Sequence, residues 1–272
     1  TWRCGVNFLE TVVERRKARL KAEFGSFTQG ELDQRLRPER AHRAFENVEI
    51  VRALEDVCVI AEVKKASPSA GAIAPDCVAA EQALRYRRGG ACGISVLTEP
   101  EYFGGSFADL EAVAAVTELP LMCKDFVVDP IQLYMAQASG ADGVLLMVSV
   151  LGAELERYIE LARSIGLGPL VEVVDLDELD VACGLGARAV AVNARDLRTL
   201  EVDTAHQMLV LEEASGCDVV VVAASGIRTR ADVEAAAAAG ADAVLVGETL
   251  MRSPSPEDAL RELTGVRKGA RL

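Results

Sequence analysis

The sequence predicts one α/β domain, a closed (β/α)8 barrel with an N-terminal helical extension. Three observations predict it. Short apolar runs alternate with helical segments, a Gly-Ala pair recurs before every second run, and no Gly-rich turn follows the first run.

The apolar runs begin near Val57, Ile94, Leu121, Val144, Leu170, Ala189, Val219 and Val244. Each is short and rich in Val, Ile and Leu, which suits a strand buried on both faces better than a helix. Between them lie Ala-, Glu- and Leu-rich segments with helical spacing, such as residues 80–88, 130–139, 154–164 and 230–239. Strand, helix, strand, helix is the βαβ pattern, whose sheet is parallel. Gly-Ala recurs at Gly90-Ala91, Gly140-Ala141, Gly186-Ala187 and Gly240-Ala241, each time after a helix and before a strand. Glycine there suits the left-handed position that ends a helix. An open doubly wound sheet would carry G-x-G-x-x-G after its first strand, where this chain has Lys64-Lys65-Ala66-Ser67-Pro68-Ser69. Eight strand units with a pairwise repeat therefore point to a TIM barrel.

Residues 1–56 fall outside the repeat and are expected to pack on the barrel of residues 57–272 as an extension within one domain. Phe8–Phe24 reads as an amphipathic helix on which Phe8, Val12, Leu20 and Phe24 share a face, and residues 38–54 as a second, more polar helix. The basic run Arg15-Arg16-Lys17 is expected on a solvated helix face.

Composition narrows the partners. The net charge is −13, so a nucleic acid or an anionic membrane is a poor match. Seven cysteines without CxxC spacing, and only two histidines, argue against a disulfide framework and a metal centre. Cys58, Cys92 and Cys123 lie within apolar runs and are expected as small core residues in a reducing compartment. No apolar stretch approaches the ~20 residues of a membrane span, and Thr1-Trp2-Arg3-Cys4 is not the start of an apolar signal segment. A cytoplasmic protein is expected.

In such a barrel the active site is built from the C-terminal ends of the strands and the loops that follow them. Charged residues in otherwise apolar strands are costly unless paired or used. Strand 1 places Glu62 and Lys64 on the same side as Ile60 by alternation. Strand 3 contributes Lys124, strand 5 Glu172, and strand 6 Asn193 and Arg195. Burial and neighbouring charge can bring a lysine down toward neutrality and a carboxylate up, making a Lys–Glu pair a usable acid and base. Ser225-Gly226 after strand 7 and Gly247-Glu248 after strand 8 stand where these barrels often cradle phosphate, with glycine admitting backbone N–H groups. A small phosphorylated substrate is expected.

These residues resemble a known family. Residues 60–69 (Ile-Ala-Glu-Val-Lys-Lys-Ala-Ser-Pro-Ser) are similar to the first-strand signature of the indole-3-glycerol phosphate synthases of tryptophan biosynthesis. The resemblance continues in order through Leu97-Thr98-Glu99, Tyr102-Phe103, Cys123-Lys124-Asp125-Phe126, Leu170-Val171-Glu172-Val173, Val192-Asn193-Ala194-Arg195, Ser225-Gly226-Ile227 and Val246-Gly247-Glu248-Thr249. It covers nearly all of residues 57–252, and the N-terminal extension also looks like the family's.

The resemblance implies a cofactor-free, metal-free lyase, monomeric by default. It would close the ring of 1-(2-carboxyphenylamino)-1-deoxyribulose 5-phosphate with loss of CO2 and water. By the family's pattern Lys124 would be the general acid, Lys64 would hold the leaving carboxylate, and Glu172 would serve the dehydration. Glu62 and Asn193 would orient a lysine and a substrate hydroxyl, and Arg195 would assist with the carboxylate. Leu97, Phe103 and Phe126 would wall the aromatic ring. Ser67, Ser225, Gly226, Gly247 and the amide of Glu248 would hold the phosphate.

The sequence departs from the pattern in two places. The seventh strand ends Ala223-Ala224-Ser225-Gly226 where the family has Ala-Glu-Ser-Gly, and Val174 stands where a histidine commonly follows the strand-5 glutamate. The alternatives these leave open are a paralogue with altered substrate or reduced activity, and a non-catalytic barrel that binds a phosphate ligand. A phosphoribosylanthranilate isomerase on the same fold would want a Cys/Asp pair at strands 1 and 6, which this chain does not offer.

Overall fold

The computed structural model describes residues 7–37 and 48–269. Eight parallel strands close into one barrel: β1 (Cys58–Val63), β2 (Gly93–Leu97), β3 (Leu121–Lys124), β4 (Gly143–Met147), β5 (Gly168–Val173), β6 (Ala189–Asn193), β7 (Val220–Ala224) and β8 (Ala243–Val246). Each strand pairs with the next, and β8 returns to β1 in a register running from Cys58↔Ala243 to Ala61↔Val246.

The continuous apolar runs follow from burial on both faces. Val59, Ala61 and Val63 of β1 point outward into a layer shared with helix residues such as Tyr86 and Leu110. Cys58 and Ile60 point inward and meet Leu145, Leu170, Val222 and Leu245 inside the barrel. Burying one such Val or Leu contributes roughly 1.5–3 kcal/mol, so the strand positions are set by many small terms acting together.

The helices begin and end where the sequence punctuates them. Those expected at 80–88, 130–139, 154–164 and 230–239 are Ala79–Gly89, Ile131–Ala138, Leu155–Ser164 and Arg230–Ala238. The glycines of all four Gly-Ala pairs adopt the left-handed backbone, with φ of 95° at Gly90, 90° at Gly140, 73° at Gly186 and 90° at Gly240. At Gly90 the turn returns N–H groups to the last helical carbonyls: Gly90 N–H donates to Arg87 O and Ala91 N–H to Tyr86 O.

The N-terminal helix Phe8–Phe24 is capped by Asn7, whose side chain accepts from Glu10 N–H at 2.9 Å. Its buried face carries Phe8, Leu9, Val12, Arg16 and Leu20, with Phe24 half-buried. Phe8, Leu9 and Val12 pack with residues of the barrel interior, and Leu20 packs on Ile131 and Tyr134. The expectation of a solvated basic face fails at Arg16, which is 3% exposed and bridges to the equally buried Asp125 at 2.6 Å. A buried guanidinium costs little only when a carboxylate matches it, and Asp125 at the end of β3 supplies that match. Of the second expected helix, Val48–Ala53 is helical, and residues 38–47 lie outside the described residues.

Cys58 and Cys123 are buried as expected, whereas Cys92 is exposed. It precedes β2 at the N-terminal rim of the barrel, where the apolar run has not yet entered the core. Among the described residues no helix is long and apolar enough to cross a membrane.

Candidate active site

The C-terminal ends of the strands open into a cavity of about 290 Å³ lined by residues of β1 to β8 and the loops after them. Every site residue singled out from the sequence lines it: Glu62, Lys64, Ser67, Leu97, Phe103, Lys124, Phe126, Glu172, Asn193, Arg195, Ser225, Gly226, Gly247 and Glu248.

Glu62 is the hub of the charged wall. Its side chain is 1% exposed, its Oε2 lies 2.7 Å from Lys64 Nζ, and its Oε1 lies 3.4 Å from Lys124 Nζ. Burial on its own would raise this carboxyl, but Lys64 and then Lys124 outweigh it and hold the group down at about 2. Glu62 is thus a fixed anion between two cations. For Lys124 burial again acts against the charge, and Glu62 followed by Glu172 overcomes it, so the ammonium is held above its ordinary value. This corrects the expectation of a lysine drawn toward neutrality. In this pocket the carboxylates outweigh both desolvation and the neighbouring Arg195, which opposes them.

Glu172 behaves in the opposite way. It is buried, and burial pushes its carboxyl up against the lowering pull of Lys124 and of the Asn193 hydrogen bond. Asn193 Nδ2 donates to Glu172 Oε1 at 3.0 Å, and Asn193 Oδ1 accepts from Arg195 N–H at 3.0 Å. Asn193 therefore orients Glu172 directly. The Arg195 guanidinium donates to Leu200 O at 2.8 Å, and burial lowers its pKa. Environments that drive two groups in one cavity apart, a proton donor kept charged and a carboxyl kept protonatable, suit acid–base work.

Next to the charged wall stands an apolar one. Phe103 and Phe126 meet at 6.1 Å between ring centres, with Leu97 buried beside them. Phe8 of the N-terminal helix supports this wall edge-on, 6.4 Å from Phe126 and 5.2 Å from Tyr102. The loop carrying Phe103 is held by Glu99, whose carboxylate accepts the N–H groups of Glu101, Tyr102 and Phe103.

The cavity has a further polar, glycine-containing lining. Ser67 Oγ accepts from Ala70 N–H at 3.1 Å, fixing the turn after β1. Ser225 and Gly226 both hold left-handed backbone, φ 65° and 79°, and a Cβ on Gly226 would stand 2.7 Å from Thr204 Cγ2. Gly247 matters for a reason beyond anion access: a Cβ there would run into Glu62 Oε2 and approach Lys64 Nζ at 3.1 Å. The Glu248 carboxylate turns to Arg252 at 2.9 Å.

A family model described as "Indole-3-glycerol phosphate synthase" matches residues 9–263. The chain belongs to that family. It is 50% identical over 204 residues to an indole-3-glycerol phosphate synthase of Micrococcus luteus, covering 75% of this chain and 76% of that one. It is 49% identical over 228 residues to indole-3-glycerol phosphate synthase 1 of Streptomyces coelicolor, covering 83% and 84%. Against the indole-3-glycerol phosphate synthase of Mycolicibacterium vanbaalenii it is 43% identical over 258 residues, covering 94% and 93%. Among solved structures, a 3-hexulose-6-phosphate synthase superposes with a TM-score of 0.62 at 18% identity, covering 76% of this chain and 98% of that one. At that identity it shares the fold alone.

Within this synthase-family barrel, sequence reasoning passed over several cavity residues. Arg228, in the loop after β7, and Arg252, at the end of the helix Glu248–Arg252, bring two further cations to the cavity; the strand pattern of the sequence marks neither. Asp125 was quoted only as part of a motif, yet it ties β3 to Arg16 and accepts from Thr98 Oγ1 at 2.8 Å. Ala224 is buried at the end of β7, in register with Asn193, and its short side chain lines the cavity.

Proposed function

We propose that this chain is a carbon–carbon lyase that converts 1-(2-carboxyphenylamino)-1-deoxyribulose 5-phosphate to indole-3-glycerol phosphate, CO2 and water. The observation that carries the reading is the Glu62 carboxylate clamped between Lys64 and Lys124 in a cavity that is also lined by Arg195, Arg228, Arg252 and the glycines Gly226 and Gly247. The substrate carries a carboxylate and a phosphate, and this cavity is lined by two lysines and three arginines.

Lys124, kept protonated by Glu62 and Glu172, donates its proton to the ketose carbonyl oxygen as the aromatic ring carbon attacks the carbonyl carbon. Lys64 pairs with the carboxylate attached to that ring carbon. The carbon–carboxylate bond breaks, its electron pair returns to the ring, and CO2 departs. The new hydroxyl then takes the proton of Glu172, raised by burial and steadied by Asn193, and leaves as water; the neighbouring nitrogen-bearing CH2 gives up a proton to the Glu172 carboxylate and the ring C=C bond forms. Leu97, Phe103 and Phe126 exclude water from the aromatic ring. Ser67, Ser225, Gly226, Gly247 and the Glu248 amide hold the phosphate, and Arg195 assists with the carboxylate. Ala224 leaves these groups in place, so the reading retains turnover in spite of the missing family glutamate.

The same reading treats residues 1–56 as part of one domain, supported by Arg16–Asp125 and by Phe8 behind the aromatic wall, and treats the protein as a monomer. The deciding experiment incubates the protein with the carboxyphenylamino-deoxyribulose phosphate and follows indole fluorescence. Product formation that disappears in Lys124→Ala supports the assignment. Fluorescence no greater than that of Lys124→Ala overturns it.

A further inference from the structure

The barrel interior is stacked in layers of four side chains drawn from alternate strands. The strand register places Glu62, Lys124, Glu172 and Ala224, from β1, β3, β5 and β7, in one layer. In the layer beneath, Ser95 of β2 lies with Leu145, Ala191 and Leu245, and the next layer down is apolar throughout, from Ile60 to Val222. Ser95 is fully buried, and its hydroxyl has no hydrogen-bond partner. Such a hydroxyl is costly in an apolar stack.

The register shows what it faces. Ser95 stands in register with Glu62 on β1, and Leu97, two residues on, with Lys124 on β3. β2 therefore runs between Glu62 and Lys124, with Ser95 at the level of Glu62. The carboxylate is turned to match: Oε2 faces Gly247, which follows β8, while Oε1 faces Lys124 on the far side of β2. Oε1 too has no hydrogen-bond partner, and its contact with Lys124 is an ion pair at 3.4 Å. Of the two charged groups on the strands flanking Ser95, the Lys124 ammonium only donates, which leaves Glu62 Oε1 as the acceptor.

We propose that Ser95 is a positioning residue of the proton-transfer step, its hydroxyl turning to donate to Glu62 Oε1 as Lys124 gives up its proton. This rests on the reading of Lys124 as the general acid. While Lys124 is an ammonium, it balances the charge on Oε1. Once the proton has passed from Lys124 Nζ to the carbonyl oxygen of the substrate, the amine is neutral and Oε1 is a buried anion without a cation. A serine O–H to a carboxylate is a short, charge-assisted bond, and the hydroxyl has only to rotate to make it. Ser95 keeps its own proton throughout. Because the bond is stronger after the transfer than before it, it favours release of the proton by an acid that Glu62 otherwise holds.

Two measurements test this. In urea unfolding, Ser95→Ala should not destabilise the native chain, because the hydroxyl has no partner there. In a Lys124→Met background, where Oε1 has lost its cation, the same substitution should raise the unfolding constant about tenfold. In the indole fluorescence assay, S95A should lower kcat about tenfold with KM unchanged. Ser95→Cys, which fills the space with a weak donor, should behave as S95A does. A serine that merely packs would destabilise both backgrounds alike and be replaced by cysteine without loss. Equal effects of S95A on stability in the two backgrounds, full kcat in Ser95→Cys, or an unchanged kcat in S95A of a chain that turns over would each overturn the proposal. Absence of turnover in the native chain would strike the lyase reading instead, and the unfolding cycle, which needs no substrate, would still decide whether Ser95 donates to Glu62.

Discussion

Replacing Glu62 by Gln removes the anion between Lys64 and Lys124 while keeping the side chain's size. At 3.4 Å, and with an effective dielectric constant of about 20, the Glu62–Lys124 attraction is on the order of 5 kcal/mol. An amide dipole and entering water would recover part of that, leaving a net loss of roughly 2 kcal/mol, or more than one pH unit for Lys124. Lys124 needs its proton at the start of the reaction, so activity is lost as pH rises through its pKa. The basic limb of the kcat/KM profile should therefore move down by at least about one pH unit in E62Q. The assay is indole fluorescence across a pH series, with circular dichroism to show that the variant is folded. A basic limb that stays in place while the rate falls would mean that Glu62 does not hold the proton of the catalytic acid, and the electrostatic account would be wrong.

Stability should respond to pH through the same residue. Glu62 drops from its ordinary 4.5 to about 2 on folding, so its contribution is present above pH 4.5 and lost as pH falls through 2. The loss amounts to roughly 3 kcal/mol, and acid titration of urea unfolding should show it in the native chain and not in E62Q. Glu172 is raised by burial, so its ionisation works against folding; Glu172→Gln should unfold a few degrees higher in a thermal melt while kcat falls about a hundredfold or more. Arg16→Met should lower unfolding free energy by about 3–5 kcal/mol, because Asp125 is left buried and unpaired, and urea titration should show part of it restored in Arg16→Met/Asp125→Leu. Gly247→Ala should reduce kcat at least about tenfold, since its methyl group displaces Glu62 and Lys64; steady-state kinetics showing only a raised KM would assign Gly247 to phosphate binding alone.

The barrel was legible because both faces of each strand are buried, which leaves a run such as Val219–Ala224 nearly free of polar residues. Glu62, Lys64, Lys124 and Glu172 were legible for the same reason: a charge in such a run has a large desolvation cost that must be offset. Asn193 was found too, but its partner was not, since which carboxylate it meets depends on the β5–β6 register. Arg16 was misread because a basic triplet on an amphipathic helix looks solvated until the buried carboxylate at residue 125 is known. The direction of the Lys124 shift was equally out of reach, because it depends on distances between strands far apart in the chain. Arg228 stands on the loop after β7 and Arg252 at the end of the short helix Glu248–Arg252, and no strand periodicity marks either as a cavity residue.

Gly247 and Glu62 meet across the seam where β8 closes onto β1. The charged cluster of β1, β3 and β5 is therefore backed by the turn after the last strand, and a chain emerging from the ribosome would carry Glu62, Lys64, Lys124 and Glu172 long before that backing arrives. Catalytic competence would arrive as a single late event, with the release of residues 243–252, and a truncation between β6 and β8 would yield a chain containing every proposed proton-transfer residue and no active site.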